Sequence, residues 1–214
     1  MKIARAAAFC AALAVDGGVF AQDKAAPPAA AQLRGVYATI DISASQKMEL
    51  RLAPGGDRRA AVREVLKNPG DYAPPVLYAL ANALSGDRPE DAIFWYHVGR
   101  LRIVYDALLC RDKTVRRIVP VIGRTLSLEL RHAQYYHRDA VLEIAKKAIE
   151  WDAKNPRNYD QRWIAVFGQV AASSPGTDEG EVLRSKRRWP EILKHVHDSH
   201  LKSVEAFVAA KKDG

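Results

Sequence analysis

The sequence predicts a mainly α protein, a compact array of about seven helices with a short hairpin or extended arm at its start. Three observations lead there. From Asp57 onward, apolar residues recur three and four apart. The runs open on Asp or Pro and close at Gly or Asn-Pro signals. Beyond the N-terminal segment a single cysteine, Cys110, remains, so no internal disulfide can form and apolar packing has to hold the fold.

The first residues, MKIARAAAFCAALAVDGGVFA, set Lys2 and Arg5 before an apolar run from Ala6 to Val15, then small residues up to Ala21. That order predicts a signal peptide over 1–21, removed on export to the periplasm or beyond. The run is shorter than the roughly 20 residues that span a bilayer, so a retained anchor is the weaker reading. Cys10 lies inside the run, where a lipidated cysteine would not be. An Ala/Pro tract over 22–32 reads as a flexible leader, and 33–214 as one domain with a core of its own.

Removing 1–21 takes away two cations and one anion, and a formal charge of +8 becomes +7. Such a balance suits nucleic acid, an anionic membrane or an acidic protein. Export argues against nucleic acid. The cations are scattered as pairs (Arg58-Arg59, Arg116-Arg117, Lys146-Lys147, Arg187-Arg188), the pattern of a solvated surface. Membrane contact stays open but nothing in the pattern requires it, and nothing sets an oligomeric state.

Alternation of Val36, Ala38, Ile40 and Ile42, then of Met48, Leu50 and Leu52, predicts the hairpin or arm. Asp57 is placed to cap DRRAAVREVLK, which ends at Asn68-Pro69-Gly70. Pro74 or Pro75 opens VLYALANAL, stopped at Ser85-Gly86. Asp87 and Pro89 open the next helix. At 100° per residue this helix shows two apolar arcs, one through Ile93, Val98, Leu101 and Leu108, the other through Ala92, Gly99, Ile103 and Cys110. A helix with two apolar faces lies between neighbours, with Arg100 on one flank and Arg102 and Asp106 on the other. Asp112 caps KTVRRIV, and Pro120 kinks or ends it before VIGRTLSLELRHAQYY resumes. Asp139 caps DAVLEIAKKAIEWDAK, the cleanest amphipathic pattern. Asp160 caps QRWIAVFGQVAA, SSPGTDEGE is a loop, and Pro190 starts a last helix that finishes in lysines.

The stretch HVHDSH holds three histidines, and imidazole is a common metal ligand. On a helix His195 points about 200° away from His197, so the three cannot meet at one ion. His197 and His200 share an apolar face, and a metal would need them joined by a third group such as His97. Packing roles are favoured for all three, and no cofactor is expected. Cys110 lacks a glycine-rich elbow and reads as a small buried hydrophobe. Glu90 and Asp91 open a helix, where acids suit the dipole, and Asp178, Glu179 and Glu181 read as solvated. No nucleophile or acid–base constellation stands out, and an enzyme is not expected. The turn from Trp151 to Trp163 gathers Asn155, Asn158, Tyr159, Asp160 and Arg162. Its residues are turn formers and core, or a cluster of the Trp, Tyr and Arg types that dominate protein interfaces.

VLYALANALSGDRPEDAIFWYHVGRLR, with Leu77, Leu80, Ala81, Gly86, Asp91, Ala92, Trp95 and Tyr96 at the matching positions, resembles a Sel1-like repeat, a relative of the tetratricopeptide repeat. The usual glycine-rich turn is shortened to SGDRP, and no second clear copy follows. The resemblance implies a helical hairpin, packing roles for Trp95 and Tyr96, and a protein-binding function. An exported basic chain of this size with such a hairpin also resembles the periplasmic immunity proteins that neutralise secreted bacterial toxins, phospholipase effectors among them. The expectation is therefore a non-catalytic periplasmic protein that binds a protein partner, with immunity to an antibacterial effector as its sharpest form. The partner-binding residues are placed on the polar rim (Arg88, Glu90, Arg100, Arg102) and at the later turn (Tyr159, Arg162). Two alternatives remain: an envelope enzyme or metal-dependent module using His97, His197 and His200, and a general envelope-maintenance protein.

Overall fold

The computed structural model describes residues 33–173 and 182–210, all within one compact unit, Gln32–Gly214. The signal peptide and leader expected over 1–32, the acidic loop residues and the terminal lysines lie outside the described residues.

Among the described residues there are nine α-helices and an isolated bridge but no strand. They are α1 (Ser43–Leu52), α2 (Arg58–Lys67), α3 (Pro74–Leu84), α4 (Pro89–Leu109), α5 (Ile118–Gly123), α6 (Leu128–Tyr136), α7 (Arg138–Lys154), α8 (Gln169–Ser173) and α9 (Trp189–Ala209). Tight 3-10 turns, Lys113–Arg117 and Gln161–Phe167 among them, join several of these. The mainly α expectation holds.

The hairpin or arm expected at the start is replaced by a 3-10 turn, Gly35–Thr39, and by α1. Val36, Tyr37 and Ile40 are all buried, as are Ser45, Met48 and Leu52. Those spacings of three and four are helical, and they outweigh the short alternation. Pro120 neither ends nor kinks a helix. It sits at the third position of α5, in the first turn, where the amide hydrogen it lacks has no intrahelical partner anyway. Ser127 then caps α6 by accepting from the Leu130 amide at 3.1 Å.

α4 is the axis of the molecule. It packs against α3, α6, α7 and α9. Ile93, Val98, Leu101 and Leu109 join one apolar cluster, while Ile103, Ala107 and Cys110 join a second that also holds Val36, Val115 and Trp163. The two-faced helix is thus sandwiched as its pattern requires. Gly99 lets α3 come close: a Cβ there would lie 3.0 Å from the Tyr78 ring. Trp95 is buried, in edge-to-face contact with Phe94 and Trp151. Tyr96 is half-buried and packs against both clusters.

Candidate functional site

The polar flank of α4 is inside. Arg102 is fully buried, so it is not a rim residue, and its Nε donates to Asp152 Oδ1 of α7 at 3.0 Å. Its Nη2 donates to the carbonyls of Asn155 and Pro156, both at 3.2 Å. These belong to the end of α7, where a cation meets the negative pole of the helix. Trp151 lies 5.0 Å from the same guanidinium. Asp152 also accepts from Arg157 at 2.5 Å and from His197 Nε2 at 3.0 Å. Burial opposes its ionisation, but His197, Arg157 and Arg102 together hold its pKa below the ordinary carboxylate value.

One turn along α4, Asp106 is likewise fully buried. It accepts from Trp163 Nε1 at 2.7 Å, Tyr159 Oη at 3.0 Å and Gln161 Nε2 at 3.5 Å. Burial outweighs these donors and pushes its pKa up to about 6. The pair Arg102 and Asp106 therefore fastens the 155–163 segment to α4.

The histidines do not form a metal centre. His97 Nδ1 and His200 Nε2 are hydrogen-bonded to each other at 2.9 Å, whereas His197 turns to Asp152 and His195 is exposed. Among the described residues no group of three or more potential ligands is placed to hold an ion. Desolvation, reinforced by His200, depresses His97 to about 3. Desolvation, with Arg100 and His197 nearby, depresses His200 to about 4. Both rings are therefore neutral near neutral pH. Cys110 is buried and its thiol is pushed up to about 11 by burial, which suits a packing role.

Of the six partner-binding candidates, the structure brings Tyr159 and Arg162 together in a cleft of about 610 Å³. Its opposite wall is built by the chain that returns to the end of α4. There the Arg111 amide donates to Val182 O and the Arg184 amide to Leu109 O, both at 2.9 Å, around an antiparallel bridge between Cys110 and Leu183. Trp189 Nε1 donates to Arg184 O at 2.9 Å, fixing the indole at the start of α9. The cleft is lined by Arg111, Tyr159, Arg162, Arg184, Lys186 and Trp189, with Leu183 in its wall. Tyr159 is anchored through Asp106, and Arg162 is paired to Asp160 at 2.7 Å.

The other candidates lie elsewhere. Arg88 pairs with Asp91 at 2.6 Å, and Glu90 sits 3.8 Å from His137, both exposed at the N-terminal end of α4. Arg100 is half-buried beside His200, Ser199 and Ser203. Arg184, Lys186 and Trp189 were not among the candidates, although the run RSKRRW, cations followed by an indole, is the signal for them.

A second cleft, of about 700 Å³, lies between α1, α3 and the turn before α6. Its Asn82, Ser85 and Ser127 are spent on one another and on Thr125 O. Glu49 is different: it lines this cleft and an adjoining one of about 220 Å³, and burial pushes its pKa up to about 7. The chain matches no protein-family profile, no curated protein and no solved structure.

Proposed function

We propose that this chain is an exported protein-binding protein and that Tyr159, Arg162 and Trp189 are the centre of its binding surface. The observation that carries the reading is the cleft itself. Tyr, Trp and Arg are the side chains that most often dominate interface energies. Here they converge from two segments, and both aromatic residues are held by hydrogen bonds to the fold. Preorganised contacts lose less freedom on binding. The resemblance of the α3–α4 hairpin to a Sel1-like repeat and the signal peptide expected over 1–21 support the same reading, and its sharpest form is immunity to a secreted antibacterial effector.

The test is protection. The chain is co-expressed with the exported product of the neighbouring gene, and growth and binding are measured. Wild type is expected to protect and to bind, and Arg162→Glu/Trp189→Ala to do neither while keeping its helical circular dichroism. A wild-type chain that neither binds nor protects refutes the reading.

An envelope enzyme is the second reading, and it rests on Glu49. A half-buried carboxyl raised to about 7 inside a cleft has the proton affinity that a general acid or base needs near neutral pH. It predicts turnover of a cell-wall or lipid substrate that Glu49→Gln abolishes. The absence of turnover by wild type removes it.

A further inference from the structure

We infer that the occupant of the cleft is an acidic, extended segment of the partner polypeptide, paired along the open edge at Leu183; this rests on the protein-binding reading above. Charge is the first support. The cleft adjoins a second opening of about 360 Å³ through Arg184, which lines both, and the second adds Lys113, Arg116 and Arg188. Among the described residues only Asp160 and Glu191 bring carboxylates to this band, and each already has a partner, Arg162 at 2.7 Å and Arg188 at 3.5 Å. Lys113, Arg116, Arg184 and Lys186 have no carboxylate within ion-pair distance among the described residues.

The backbone is the second support, and it selects a polypeptide over other polyanions. Cys110 and Leu183 face each other as the non-hydrogen-bonded pair of the bridge, since the bonds run from Arg111 to Val182 and from Arg184 to Leu109. In that arrangement the Leu183 N–H and C=O point away from α4. Neither has a partner among the described residues, and Leu183 lines the cleft. An unpaired edge of this kind accepts an added strand, in which main-chain bonds supply affinity and alternate side chains supply selectivity. Carboxylates on one face of such a strand reach the cations, while the rings of Tyr159 and Trp189 take apolar side chains.

The test uses the full chain and a fluorescein-labelled peptide of alternating Glu and Val. Its comparators are inorganic polyphosphate, a single-stranded oligonucleotide and vesicles containing phosphatidylglycerol. The peptide is expected to bind, to weaken steeply as salt rises, and to lose about tenfold in affinity for Lys113→Glu/Arg116→Glu/Lys186→Glu. The control Lys67→Glu/Lys147→Glu/Lys202→Glu carries the same net charge and should bind like wild type. Methylating alternate peptide amides should weaken binding about tenfold where the edge is used. Tighter binding of polyphosphate, oligonucleotide or vesicles overturns the inference, as does equal loss in the two triple variants or indifference to amide methylation. A natural partner that binds wild type and the cleft variant alike refutes the acidic occupant and leaves protein binding standing. Failure of every protein partner with the intact chain refutes the protein-binding reading itself.

Discussion

Around Asp152 the chain buries two guanidinium groups against one carboxylate, whereas around the cleft it leaves four cations without any carboxylate among the described residues. Arg102 and Arg184 are the same side chain in these two settings. The first has given all its specificity to the interior, to one carboxylate and two carbonyls at the end of α7. The second is tied to the fold through Nε to Leu108 O at 2.9 Å and keeps its charge toward the opening. A buried charge is held in place because leaving it unpaired is costly; a charge at a cleft remains available because it is not matched. The contrast separates cations that position the fold from cations left available to a ligand.

Breaking the interior should have the largest effect. Arg102→Met leaves Asp152 buried with one cation fewer and frees the end of α7. It is expected to cost about 3–5 kcal/mol, read as a lowered midpoint in urea unfolding. Binding at the cleft should fall with it, because the 155–163 segment loses its anchor.

Acid should act on the interior next. His97 and His200 titrate at about 3 and about 4 in the fold, below the ordinary 6.5. The unfolded chain therefore takes up protons first, and stability falls as pH drops from about 6.5 toward 4. Buried His97 alone should account for about 2 kcal/mol or more. Asp106 has the opposite sign: its pKa is raised from 3.8 to about 6, so its cost to the fold appears as pH rises through that window. Urea unfolding across this range should show the loss in acid, a flatter profile for His97→Gln/His200→Gln, and a steeper one for Asp106→Asn.

The smallest effect is expected at the cleft. Lys113, Arg116 and Lys186 are exposed, and their triple reversal should shift stability by no more than about 0.5 kcal/mol per site. A larger drop in melting temperature would show that these cations hold the fold and would erase the distinction.

Helices whose apolar residues recur cleanly were legible in the chain: α2, α3, α4, α7 and α9 start at or within a residue or two of their Asp or Pro signals. The first helix was not, because Met48, Leu50 and Leu52 fit a strand as well as a turn of helix; the burial of Ser45, Met48 and Leu52 with Leu50 left exposed decides for the helix. Tyr159 and Arg162 were legible as interface types. Arg102 was misplaced because a charged residue is rarely buried in full. Yet α4 has two apolar faces, and a helix enclosed on both sides has little surface left for its flanks. The opposite wall of the cleft could not be read, since it depends on residues 182–189 returning to residues 108–111, a pairing far apart in sequence that no local period encodes.

That return has a consequence for the integrity of the chain. Just before residue 174, the amides of Gln169 and Val170 donate to Thr114 Oγ1 and Asp112 Oδ2, both at 2.9 Å. Just after residue 181, Val182 O accepts from the Arg111 amide and the Arg184 amide donates to Leu109 O. Both ends of the 174–181 link are thus moored to one short stretch, Leu109 to Thr114, and α9 is docked on α4 and α7 through its own contacts. α9 is therefore held by contacts that lie outside that link. A nick within residues 174–181 is expected to leave α9 associated with the rest, read by size-exclusion chromatography under native conditions.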